Sequence, residues 1–418
     1  VSTVAEPADA TAITPGAANR IFWQFWTAST VSTWGTSVTA VAMPVIALTV
    51  LHASAFEASL LPAASFTAWL LIGLPAGALV QRYPLRVTQV TMDLVRAATI
   101  ASIPVGYALD LLSVAHLVIV ALVVSFADVV FSVGNSTFLP RIVPKPELIR
   151  RNSIFSGTNS ISQFGAPALA GVLIAAIGPI VSMMVDAFSY LLSSILLGRL
   201  PNPGTQPHKA RRLIVQEIKE GIAFVWRHPV MRPCVLAATV LNFGCGALMA
   251  LLPVFVIRGA HASPALVGPV LATEGIGALL GAVLVGWLVK RSGSARTAIA
   301  GLSVATIGAI LLPLAQGPVA LVIFGTGNLV CAAGVVMFSV VTRTHRQGDT
   351  PPEMLSRVMA TVRFISWGAI PFGAVAGGLL GTWFAVAAAL LLVTAAMIGS
   401  LLVAVLSPVR GRRSLESV

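Results

Sequence analysis

Apolar stretches of about 20 residues recur along the whole chain, each the length at which a helix rising about 1.5 Å per residue crosses a hydrocarbon core about 30 Å thick. Such a core offers the backbone no water to bond. A chain built from these stretches therefore folds as helices that satisfy their own N–H and C=O groups. The spans fall near 20 to 46, 58 to 80, 87 to 109, 114 to 138, 154 to 176, 179 to 198, 234 to 257, 265 to 288, 298 to 315, 319 to 341, 357 to 381 and 384 to 406. The expected fold class is an all-α integral membrane protein with 12 transmembrane helices. Only 10% of the 418 residues are charged and 57% are hydrophobic, too little polar surface for a soluble globular domain. In lipid, the 36 Gly and 26 Pro read as close packing and bends rather than as loops.

The net charge of +12 is not spread evenly. Arg82 and Arg86, Arg141 to Arg151, the cluster from Arg199 to Arg232, Lys290 to Arg296, Arg343 to Arg357 and Arg410 to Arg413 occupy every second connection; the others hold essentially Arg258 alone. By the positive-inside rule, both termini and the central connection are expected in the cytoplasm of a cell-membrane protein. The charge orients the chain and does not imply nucleic-acid binding. Residues 1–19 lack the basic start and short apolar core of a signal peptide, and are expected to form a disordered cytoplasmic tail. Residues 407–418 form a basic cytoplasmic tail at the other end.

An internal repeat appears at an offset of roughly 200 residues. Gly77 to Arg86 is answered by Gly286 to Arg296, and the run from Phe138 to Asn152 by Asp349 to Val358, each leading into a helix rich in Gly and Pro. Order and side are kept, so the chain divides into two pseudo-symmetric six-helix halves, 20–198 and 234–406, with a substrate site expected between them. The connection 199–233 carries Ile214, Ile218, Ile222 and Val225 at helical spacing, an amphipathic helix expected to lie on the inner membrane surface.

At these residues the chain resembles the major facilitator superfamily, over about 20–406. Gly77, Leu79, Arg82 and Arg86 match the family's gating-loop motif, with Gln81 where the family has Asp. Asp93 and Arg96, three apart on the next helix, are the nearest charged replacement for a latch there. Phe138 to Leu148 and Glu217 to Pro229 are similar to the macrolide-efflux and enterobactin-exporter branch, of drug:proton antiporter type. Pro167 and Gly171 match the antiporter helix of that type, where a kink and close helix contact are needed. The resemblance implies the superfamily's two-half fold and alternating access.

A charge in mid-membrane costs at least about 2.5–3.5 kcal/mol, so each intramembrane acid calls for a role. Asp128, Glu274 and Asp186 qualify as proton-coupling candidates, with structural hydrogen bonding as the competing role. Asp128 belongs to a polar stripe with Ser125, Ser132 and Asn135, which should face a wet cavity or a polar partner. Asp186 is placed nearer the outer interface, within reach of water. The acid that many family members carry in the first helix is replaced here by Trp34-Gly35-Thr36. Gln24, Thr27, Trp34 and Ser37 on that helix, with Asn242 and Asn328, are substrate-cavity candidates. No phosphate loop, catalytic set or metal-ligand spacing is present, so no enzyme activity, cofactor or metal is expected.

The function expected is export of a small amphipathic molecule by a monomeric secondary transporter that exchanges it for protons across the lipid bilayer. Two alternatives stand beside it. One is an importer or facilitator of a small solute, and the other a non-transporting membrane subunit or permease domain.

Overall fold

The computed structural model describes residues 15–73, 83–142, 147–201 and 214–415. The chain runs up and down a bundle as α1 (Pro15–Thr49), α2 (Ala55–Ile72), α3 (Leu85–Ala108), α4 (Val114–Ile142), α5 (Leu148–Ile177) and α6 (Pro179–Gly198). After α7 (Ile214–Arg227) come α8 (Met231–Val254), α9 (Val267–Ser292), α10 (Ser294–Leu311) and α11 (Ala320–Asp349). Last are α12 (Pro352–Trp367), α13 (Ala369–Trp383) and α14 (Val386–Val405). Residues 15–19 continue α1 instead of forming part of a disordered tail, because nothing before Phe22 breaks the helix.

Among the described residues, ten helical segments are long and apolar enough to cross a membrane, not clearly twelve. The two predicted spans that are not among the ten lie in α3, which carries Asp93 and Arg96, and in α5, of which the described apolar segment is Gly165–Ile177. The span predicted at 357 to 381 is broken at Gly368, between α12 and α13. Pro371 explains the break: without an N–H it cannot bond the carbonyl of Trp367, while near the start of α13 that lack costs nothing. Large apolar side chains such as Val172, Phe188, Val283, Ile307 and Val322 stand more than half exposed, a surface that only lipid tolerates.

Packing repeats between the first six helices and those after α7. Within the first set α1 packs on α5 and α6, α3 on α4 and α6, and α2 on α4. In the second set α8 packs on α13 and α14, α10 on α11 and α14, and α9 on α11 in the same relation. Small residues let these backbones approach, since association in lipid rests on close contact rather than on hydrophobic expulsion. Gly277 and Gly281 of α9 lie against the backbone at Leu329 and Ala333 of α11, and Gly373 of α13 against Phe243 of α8.

The two sets meet at two seams, α2 with α13 and α5 with α9. The tight contacts lie at the bundle end opposite the chain termini. There Phe56 N–H donates to Thr382 Oγ1 at 2.8 Å, and Arg258 donates to the carbonyl of Ala53. A Cβ on Gly268 of α9 would overlap the Pro167 carbonyl of α5, and one on Gly171 would overlap Ala265 and Pro269. The amphipathic helix predicted in the connection is α7, and it docks on α12: Val225 is buried with Val358 and Val362, and Glu220 pairs with Arg357. Of the stripe, Val225 covers protein while Ile222 stays exposed.

Candidate functional site

Gln89, Asp93 and Arg96 recur at spacings of four and three, which puts all three on one face of α3. That face turns inward, where none of them is more than 2% exposed. Arg96 Nη2 pairs with Asp93 Oδ1, and Arg96 Nη1 donates to Asp128 Oδ1 on α4 at 2.7 Å. The guanidinium also packs on the rings of Phe131 at 4.1 Å and Tyr190 at 4.4 Å. Tyr190 OH shares a 2.9 Å hydrogen bond with Thr36 Oγ1, the position that lacks the familiar acid. Two carboxylates thus share one guanidinium, leaving a net charge of about −1 that one proton on either acid would cancel. The side chain of Asp93 is sealed at 0% exposure while that of Asp128 is 32% exposed, so Asp128 is the less enclosed of the two acids.

Asp186 is a third acid of this layer. It is 0% exposed, bonded by Thr39 and Ser189, and does not reach water as its position along the chain suggests, because α1 and α3 cover that face of α6. Asp93 and Arg96 are likewise not part of a loop latch; α3 begins at Leu85 and carries them two to three turns into the bundle. Of the gating-loop residues, Gly77, Gln81 and Arg82 lie outside the described residues, and Arg86 donates to the Leu200 carbonyl at 3.0 Å.

A cavity of about 700 Å³ lies between the halves on the side of the termini, walled by α2, α4, α8, α11 and α12. Trp69, Val133, Asn242, Phe338, Arg343, Arg346, Arg363 and Trp367 are on its wall. Asn242, one of the substrate candidates, is therefore in place, although its amide also donates to Ala238 O of its own helix. Arg363 is the residue that a search for mid-membrane acids passes over; a lone arginine six residues into the span predicted at 357 was the available signal.

The remaining candidates hold helices together or lie apart from the cavity wall. Gln24 donates to Leu196 O at 2.9 Å, Ser125 bonds Ser65 O, and Asn135 accepts from Ser29 at 3.4 Å. Asn328 donates to Thr273 Oγ1 at 3.0 Å, joining α11 to α9. Ser37 donates to Thr33 O within α1. Trp34 borders a separate apolar groove among α1, α5 and α6, and Thr27 and Ser132 are exposed. Glu274 is exposed on α9, outside the cavity wall.

The fold also gathers His228, His345 and Asp349, with ligand-type atoms within 4.8 Å of one another. Only the i,i+4 spacing of His345 and Asp349 was visible in the sequence. Nδ1 of His228 accepts the backbone N–H groups of Val230 at 3.2 Å and Met231 at 3.1 Å, so the ring proton sits on Nε2, facing Asp349. A metal at Nε2 would leave that ring without a proton, and the geometry reads instead as a hydrogen-bonded cap on α8.

The family model for the Major Facilitator Superfamily matches residues 25–350. The chain belongs to this superfamily. It is a secondary transporter of the alternating-access fold that handles a small solute, in a family not known for catalysis. An uncharacterized MFS-type transporter, y4rN of Sinorhizobium fredii, is 28% identical over 63% of the chain and 64% of its own length. The chain thus spans less than two thirds of that relative. Multidrug efflux pump Tap of Mycolicibacterium fortuitum is 27% identical over 82% of the chain and 85% of the pump. Among solved structures, a point mutant of the nucleoside transporter NupG superposes with a TM-score of 0.79 at 9% identity, covering 92% of this chain and 99% of that one. A bacterial ferroportin homologue at 16% identity scores 0.75 in its inward-facing state, covering 93% of this chain and 98% of that one. In its outward-facing state it scores 0.60, with 94% and 100% covered. Of the two states of that homologue, the inward-facing one superposes better on this chain.

Proposed function

We propose that this chain is a cell-membrane exporter that moves a small amphipathic molecule outward in exchange for protons. In this reading it has twelve crossings in two six-helix halves, 20–198 and 234–406, joined by 199–233, with both termini cytoplasmic. The intervals of α3 and α5 count as crossings in this reading, and the charged pair of α3, Asp93 and Arg96, faces the protein rather than lipid. The 700 Å³ cavity is then the inward-open substrate site, closed to the outside by the seams at Gly171, Gly268 and Thr382.

The observation that carries coupling is the group Asp93–Arg96–Asp128, an over-acidic ion triad in which one carboxylate is sealed and the other partly exposed. Protonation of Asp128 leaves a neutral Asp93–Arg96 pair and loosens α3 from α4, which biases the halves towards one access state. The efflux reading is supported by the similarity to the Tap pumps. Inside-out vesicles test it: acidifying the lumen should drive uptake of a fluorescent substrate, and Asp128→Asn should slow that uptake at least about tenfold, the scale of a lost coupling step. Unchanged pH dependence in both Asp128→Asn and Glu274→Gln defeats the assignment.

A further inference from the structure

The wall of the cavity between the halves carries three arginines, Arg343, Arg346 and Arg363, and, among the described residues, no carboxylate. Among the described residues none of the three has an acid within ion-pair distance, whereas Arg357 nearby is paired with Glu220. Arg363 lies between two indoles, Trp69 of the opposite half at 4.0 Å and Trp367 at 4.1 Å. Stacking uses the faces of a guanidinium and leaves its edge donors for a ligand. Arg346 Nε is buried with no hydrogen-bond partner, a donor waiting for an acceptor. Arginines that served only to orient the chain would extend into water; these line a concave site, where low-dielectric walls strengthen their field.

We propose that the cavity selects amphipathic anions. A carboxylate, phosphate or sulfonate engages Arg343, Arg346 and Arg363, while an aromatic or apolar body lies against Trp69, Trp367, Phe338 and Phe364. The assignment rests on the transporter reading of the same cavity and names its substrate class. An anionic lipid headgroup offers the same chemistry as a small amphipathic anion.

Full-length protein in phosphatidylcholine nanodiscs, dialysed to equilibrium against carboxyfluorescein or ethidium with empty discs as blank, tests the sign of the charge selected. The anion should bind at least about tenfold more tightly than the cation, and Arg346→Gln and Arg363→Gln should each weaken the anion about tenfold while sparing ethidium. Raising salt should weaken carboxyfluorescein binding alone in the unaltered protein, which needs no variant to fold. Equal binding of the two dyes overturns the proposal, as does anion affinity retained in a monodisperse Arg346→Gln/Arg363→Gln double variant. Repeating the titration in phosphatidylglycerol discs identifies the source: displacement of the dye marks a headgroup occupant, retention a soluble anion, and both support the anion site. Because no pH gradient is applied, anion binding without proton-driven uptake would count against the coupling mechanism alone. Proton-driven uptake of a cation without anion binding would count against the substrate class alone.

Discussion

Replacing Arg96 by Leu removes the single cation between Asp93 and Asp128 and the guanidinium stacked on Phe131 and Tyr190. The two acids respond differently. Asp128 keeps 32% of its side chain exposed, but Asp93 at 0% has no such outlet and is left as a buried carboxylate without its counter-ion. Breaking a buried pair in this way costs about 3–5 kcal/mol. At about 2–4 °C per kcal/mol for a unit of 150–250 residues, the apparent melting temperature should fall by about 6–20 °C. Heating the detergent-purified protein and measuring the monodisperse fraction by size-exclusion chromatography reads this directly. The variant Asp93→Asn/Arg96→Leu removes the stranded charge and should recover most of the loss. The reasoning is refuted if Arg96→Leu melts with the unaltered protein, or if the double variant melts no higher than Arg96→Leu.

Gly268→Val should hold the α5–α9 seam apart, because a side chain there overlaps the Pro167 carbonyl. Spin labels at His52 and His261 in a cysteine-free background should then show a longer distance population, and an unchanged distribution contradicts the seam's role in closure. Gly373→Val should cost about 1–3 kcal/mol by overpacking against the Phe243 carbonyl, seen as a lower melting temperature with the cavity's dye binding retained. Burial pushes the His228 imidazole below the ordinary histidine value, with Asp349 pulling it up and Arg412 pushing it further down. The folded state then binds fewer protons than the unfolded one, so this contribution is complete above the ordinary value of about 6.5 and is lost as pH falls through it towards the lowered value. His228→Gln should flatten that part of the stability profile between neutral and mildly acid pH; a profile unchanged from the unaltered protein contradicts it.

Sequence alone determined that the chain lives in a membrane as helices, since hydrophobic length and helical pitch are local properties. It showed the repeat, and with it the two packed sets of helices, because the cognate segments keep their order. It also marked Asp128 as a charge whose place in an apolar stretch demands an explanation, and Asp93 with Arg96 as the charged replacement for a latch. That the three form one group was not legible: Asp93 and Arg96 share a face of α3, but Asp128 lies 32 residues on and joins them only when α3 packs on α4. The same limit applies to polar residues such as Gln24, Ser125 and Asn328, whose spacing suits a substrate wall and a helix-to-helix bond equally well. Only the packing decided which faces met protein and which met the cavity. It also brought Arg363 of one half between its own Trp367 and Trp69 of the other, a contact between residues far apart in the chain, for which neither periodicity nor motif carries a signal.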